Sequence, residues 1–519
     1  MNRFKYNVKA PINAGTPFDL WAIGRRLAFG VLFKTVRPLV LSLLTIAMGS
    51  VGVRAANNSL QNWVFSPLPD HWTGYSTPHF ALYSTNDRSD SAVEILRRLE
   101  SARTLFDRLG ILKPNVKSIV QVMAFGSDDE YKSYRLNAGA FAYYLPTQTS
   151  DLIVMRDLNP THYEVALHEF THFVLVRSGF NLPLWLNEGL ADLYSTVEVH
   201  REVISIGRPP ASRLNFLIDK PLLSLGTVIA QTRESAYSKS RGEILTFYAT
   251  SWALTHMLAL DPNYEQGFSR FLYAVSNGHS AEECFQSIFH KTLTEVNNDL
   301  DAYLRGRSLR QQQLVLDLPI EQLKPQIVRN SKEPAEVVLA QLVAANPQTV
   351  EDGKRMLLSL AIVYPKNVTL EESLGYVSLS DGDQASARRH FERAIEMQSQ
   401  NPEIMLRLAD LQLGAGAPVE SLITLLKRAI ELDPSSDKAR LELAIVAAKA
   451  KRFALAISTL RNTEVFRPQD AYVFSYTLAS LYLQIGQLSQ ARLFALRAMS
   501  IAPNRIERDR VGLLLSAVD

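Results

Sequence analysis

Short apolar runs alternate with longer helical patterns through the first half of the chain. Phe80–Thr85, Ser118–Phe125 and Asp151–Asp157 are apolar stretches bounded by polar residues, and each predicts a strand. Ser91–Ile111 repeats its apolar residues at helical spacing and carries Gly110 near its end, which predicts a helix. A short helix is expected after Ser127 or Asp128, either of which can cap it. The order strand, helix, strand, short helix, strand predicts a mixed sheet with helices, an α+β or α/β layout. A strongly apolar helix follows. Thr161 and Glu164 form a candidate capping box after Pro160, and Ser178-Gly179 supplies a stop. From Pro183 another helix is expected, then further helices over 242–260 and 264–278.

The last third changes character. Leu478, Ala479, Tyr482, Gly486, Ala491, Ala495, Ala498 and Pro503 stand at the intervals of a tetratricopeptide repeat. Leu374, Gly375, Gly382, Ala387, Phe391 and Ala394 repeat the pattern, with weaker copies between them. One helix pair cannot bury its apolar face alone, so the copies must stack into an all-α solenoid. Residues 333–365 read as one more, degenerate copy or a helical connector. The expected organisation is a basic N-terminal region (1–37), an apolar segment (38–55), a linker (56–70), an α+β domain (71–308), a connector (309–366) and repeats (367–519).

Residues 38–53 are uncharged, follow Arg25, Arg26, Lys34 and Arg37, and end in small residues before Arg54. This predicts a signal peptide or an uncleaved membrane anchor, hence an exported or membrane-anchored protein. The net charge of +3 and the lack of a long basic run argue against a nucleic-acid partner. Cys284 stands alone, so neither an intrachain disulfide nor a cysteine-based zinc site is available.

Candidate chemistry concentrates between Ala166 and Asp192. His168 and His172 are i and i+4 and leave one helix face together, a start on a tetrahedral zinc site. Glu169 lies beside them, where it can take a proton from an attacking water and pass it to a leaving amine. Glu188 is the best third ligand, because Gly179 and Pro183 mark a turn that folds the second helix back. Asp192, one turn further on, can accept a hydrogen bond from a ligand histidine and fix its tautomer. An oxyanion donor is also needed, with Tyr248, Tyr194 and His256 as candidates.

His168-Glu169-x-x-His172 followed by Asn187-Glu188-Gly189-Leu190-Ala191-Asp192 resembles a gluzincin metallopeptidase of the thermolysin-like clan. "LPLWLNEGLADLYS" is similar to the peptidase MA-like family of bacterial gluzincins, often fused to tetratricopeptide repeats. The resemblance covers about 30 residues at motif level. It implies a gluzincin-like fold over roughly 80–304, zinc held by His168, His172 and Glu188, Glu169 as general base and a peptide or protein substrate. It also implies that the strand at 151–155 is a sheet edge open to an extended peptide. The stretch 137–146 lacks the acidic residues an aminopeptidase of this clan would want, so endopeptidase action is expected. The alternative is a non-catalytic zinc-containing scaffold that binds peptides or proteins through the repeats.

Overall fold

The computed structural model describes residues 71–519 apart from 87, 113–118, 136–139, 201–202, 220–221, 233–234, 236–239, 307–308, 316–323, 330, 462–467, 503 and 519. The apolar segment at 38–55 and its flanks, and with them the signal or anchor expectation, lie outside the described residues. Among the described residues no helix is long and apolar enough to cross a membrane.

The described chain forms two compact units, residues 71–400 and 401–519. The first opens with β1 (Thr73–Ser76), β2 (Phe80–Ser84), α1 (Ser89–Arg108), β3 (Val120–Ala124), α2 (Asp128–Lys132), β4 (Ala142–Pro146) and β5 (Asp151–Met155). Helices α3 (Tyr163–Arg177) and α4 (Leu184–Ser195) follow, then β6 (Glu198–His200) and β7 (Val203–Ile206). Next come α5 (Ala211–Asp219), α6 (Leu225–Ala230), α7 (Arg241–Leu260), α8 (Glu265–Ser276), α9 (Ala281–Phe289) and α10 (Leu293–Arg305). The unit closes with β8 (Gln312–Val315), β9 (Gln326–Arg329), α11 (Lys332–Ala345), α12 (Val350–Val363), α13 (Val368–Ser380) and α14 (Gln384–Glu396).

The six-stranded sheet has the order β4-β5-β3-β2-β1-β9. Strands β2, β3 and β5 are parallel, and β4, β1 and β9 pair antiparallel. Strand β5 is therefore interior, with a neighbour on each side. The free edge beside the histidine helix is β4, where Tyr144 faces Ile153. The expectation of an edge at 151–155 is thus corrected. Strand β4 is hard to read because both its faces are buried, so Ala-Tyr-Tyr-Leu shows no alternation.

Alternation along the strands builds two cores. Val122, Ile153, Ala142 and Tyr144 pack with α1 and α3, around Leu99, Phe106, Phe170 and Phe173. On the opposite face Met123, Leu152, Val154, Tyr143 and Leu145 pack on Val338, Leu339 and Leu342 of α11. The stretch 309–366, expected to be helical, thus supplies two strands as well as two helices. Strand β8 pairs with β7, and β9 with β1. The Gln-Gln-Leu-Val of β8 is largely exposed, so its strand state comes from pairing with β7 and leaves no periodic apolar trace.

Within this first unit α13 and α14 form a helix pair of the expected repeat type. A Cβ on Gly375 would lie 2.3 Å from the Phe391 ring, so glycine is what lets the two helices meet. The second unit holds α15 (Pro402–Gly414), α16 (Val419–Leu432), α17 (Asp437–Lys449), α18 (Phe453–Arg461), α19 (Pro468–Gln484), α20 (Leu488–Ser500) and α21 (Arg505–Val518). The small residues singled out by the repeat pattern, Ala479, Ala491, Ala495 and Ala498, are buried between these helices, as are Ala444 and Ala456. Pro503 lies outside the described residues.

Candidate metal centre

Helix α3 starts later than its capping signal suggests. A 3-10 turn over Pro160–His162 precedes it, capped by Asn159, whose side chain accepts from Thr161 N–H. The Thr161–Glu164 capping box does not form. The Glu164 carboxylate accepts from Arg208 instead, at 2.5 Å. The C-terminus is as expected: Gly179 takes φ +79°, and Phe180 N–H donates to Leu175 C=O at 3.0 Å. Pro183 then leads into α4, all twelve residues of which are buried.

Burial on every side explains why α4 can present carboxylates inward. Gly189 is where α7 crosses it: a Cβ there would stand 2.0 Å from Thr255 Oγ1 and 2.6 Å from Ser251 C=O. The residue beside it, Glu188, turns toward α3.

The Nε2 atoms of His168 and His172 stand 3.2 Å apart. Glu188 Oε2 lies 3.4 Å from His168 Nε2 and 3.9 Å from His172 Nε2. Ligands at zinc bond lengths around a tetrahedral centre lie about 3.3 Å from one another, so this spacing and this donor set fit zinc. They are the one such cluster among the described residues.

His168 Nδ1 stands 3.0 Å from Asp192 Oδ1. With Nδ1–H donating to that carboxylate, the Nε2 lone pair points at the centre. Asp192 is held in turn by Arg213 of α5, whose Nε donates to Oδ2 at 2.6 Å and whose Nη2 donates to Oδ1 at 3.2 Å. The Arg213 guanidinium also covers the Tyr248 ring, 5.2 Å from its centroid. Glu169 Oε2 accepts from the Tyr144 backbone N–H of β4 at 2.8 Å. Neither Arg213 nor the Tyr144 N–H is signalled by the local sequence, since each arrives from a distant element.

The charges do not balance within the cluster. Glu169, Glu188 and Asp192 surround two imidazoles, with Arg213 as the fixed cation. Burial disfavours charge on His168, but its bonds to Asp192 and Glu188 win and push it up to about 10. Burial raises Glu169 to about 7, against the pull of His168. Burial also opposes charge on Asp192, yet Arg213 and His168 bring it down to about 2. Three carboxylates against one fixed cation leave a demand for positive charge between the imidazoles. That demand is what a dication would meet.

The oxyanion candidates separate clearly. Tyr194 packs on Phe106, ring centroids 4.8 Å apart, inside the core. His256 bonds to Gly207 C=O at 2.9 Å and to the Tyr303 hydroxyl at 2.8 Å, so both its nitrogens are occupied structurally. Tyr248 lies under the Arg213 guanidinium, within electrostatic reach of the Glu188, Asp192 and Glu169 carboxylates. Burial and the Glu188 carboxylate push its hydroxyl well above the usual range, which keeps it a proton donor. Tyr248 also lines a mainly apolar cleft with Leu184, Leu223, Ile244 and Phe247, to which Thr227, Gln231 and Glu243 add polar groups.

The tetratricopeptide repeat family matches residues 373–437, 423–471 and 474–505. The C-terminal region therefore carries these repeats, a scaffold type that binds proteins or peptides. No curated protein matches the chain by sequence. Among solved structures, YrrB, a TPR protein with an unusual peptide-binding site, is 17% identical at a TM-score of 0.32, over 35% of this chain and 94% of its own. PilW, a type IV pilus biogenesis factor, is 17% identical at 0.29, over 36% and 88%. The APC/C hetero-tetramer Cut9-Hcn1 is 11% identical at 0.26, over 82% and 76%.

Proposed function

We propose that this chain is a zinc-dependent endopeptidase whose repeats recruit a protein or peptide. The observation that carries the reading is the convergence of His168 and His172 of α3 with Glu188 of α4, with Glu169 beside the histidines on α3. A structural site has no use for a base beside its ligands. Zinc, when bound by the three ligands, would supply Lewis acidity to the scissile carbonyl and the attacking water.

The protein groups do the rest. Glu169 Oε2 is fixed by the strand, so Oε1 is the oxygen that takes the proton from water and delivers it to the leaving nitrogen. Tyr248 donates its hydroxyl hydrogen bond to the oxyanion as it develops. Asp192 and Arg213 hold His168 in one tautomer and orientation. An extended substrate would lie along β4.

The repeat match favours a second reading, a non-catalytic zinc-containing scaffold that binds partners through the repeats. One experiment separates the two: metal content and cleavage of a peptide library, run beside Glu169→Gln. The peptidase reading expects one zinc in both proteins and hydrolysis in the wild type alone. One zinc with no hydrolysis in either leaves the scaffold.

A further inference from the structure

We infer that Tyr144, Asp151 and Arg177 are positioning residues that hold Glu169 against the edge strand, an inference that rests on the peptidase reading. Asp151 begins β5 and is fully buried. Its Oδ1 accepts from the Tyr144 hydroxyl at 2.6 Å. Arg177, in the last turn of α3, donates from Nε to Oδ2 at 2.8 Å and to Oδ1 at 3.0 Å, and from Nη2 to Oδ1 at 2.9 Å.

Tyr144 thus bridges two points on one helix. Its hydroxyl reaches the Arg177 end through Asp151, and its backbone N–H reaches Glu169 in the middle. Those two residues are eight apart, about 12 Å along the axis. The bonds close a ring from α3 through β5 and β4 back to α3. The Tyr144 ring fills that ring's interior against Phe173, centroids 6.0 Å apart.

The arrangement answers a particular weakness. Strand β4 has a neighbour on one side only, so no second ladder fixes its separation from α3. Glu169 borrows its orientation from that strand. A buried ion pair is a poor source of stability, since its desolvation offsets its attraction. Tying down β4 gives this one a role in the chemistry.

The test uses the full-length, zinc-loaded chain and a peptide taken from its own cleavage profile. Tyr144→Phe removes one hydroxyl and leaves the ring. A positioning role predicts a kcat about tenfold lower, KM within about twofold and unchanged zinc content. Arg177→Lys keeps a cation for the buried Asp151 carboxylate while breaking the two-pronged contact, so it keeps the test alive if the first variant folds poorly. It should lower kcat in the same way. The double variant should lose no more than the worse single one, because both cut one ring of bonds.

Wild-type kcat in both variants, whatever their melting temperatures, overturns the inference and leaves a structural staple. Fully multiplicative losses also overturn it. A wild-type chain that holds zinc and cleaves nothing takes down the peptidase reading and this inference together. Wild-type cleavage with unaffected variants sinks the inference alone.

Discussion

At the scale of single residues, the centre is a nested set of hydrogen bonds, and the outer members have measurable consequences. Arg213 never touches the ligand atoms, yet both its bonds go to the carboxylate that orients His168. Arg213→Met should weaken zinc binding about tenfold or more, read by competition with a chromophoric chelator. An unchanged affinity would show that Asp192 orients His168 unaided. Glu188→Ala should abolish stoichiometric zinc, since two imidazoles alone leave the site short of charge and of a third ligand. That His168, His172 and Glu188 come together is legible in the sequence because i and i+4 fix a helix face, and because Gly179 and Pro183 announce a turn. Arg213 and the Tyr144 N–H are not legible. One lies in an unremarkable Arg-Leu-Asn-Phe run, and the other is a backbone group that carries no sequence signature.

At the scale of elements, close contacts and buried charges decide what each helix tolerates. Gly189→Ala should destabilise the fold by about 1–3 kcal/mol in a denaturant titration, because α4 and α7 would have to separate. In the repeats, Glu442 of α17 is raised to about 8 by burial, with Lys438 Nζ 3.7 Å away pulling it down. A carboxyl raised in the folded state favours folding while protonated. Its contribution is complete below the ordinary carboxylate range and is lost as pH rises through about 8. Glu442→Gln should therefore raise the melting temperature at alkaline pH and change it little in acid. Equal effects at both ends would refute this. Strands β4, β8 and β9 elude a reading of periodicity for different reasons. The first is apolar on both faces, and the other two are short and owe their state to distant partners. The repeat helices are far more legible, because Gly375, Ala387 and Phe391 recur where the partner helix must come close.

At the scale of the molecule, the proposed zinc site and the repeats make separate demands. Three ligands on two helices mean that chelation should lower the melting temperature of the wild type, and of Glu169→Gln equally. A chain cut after residue 400 should keep zinc and short-peptide cleavage while losing capture of a larger partner, as judged by pull-down and peptidase assay side by side. A cut at 370 should instead compromise folding of the remainder. Gln341, buried on α11, explains the difference. Its Nε2 donates to Thr149 Oγ1 at 2.9 Å and Ser373 Oγ at 3.0 Å, and its Oε1 accepts from Ser150 Oγ at 3.1 Å. One carboxamide therefore joins the β4–β5 hairpin to the first helix of the repeat family match. For anyone grafting this array onto another protein, the usable seam lies at residue 400. A graft made where the repeats first become recognisable would leave a ragged edge, with Leu374 and Val377 parted from Val337, Ala340 and Leu357, and Ser373 from Gln341.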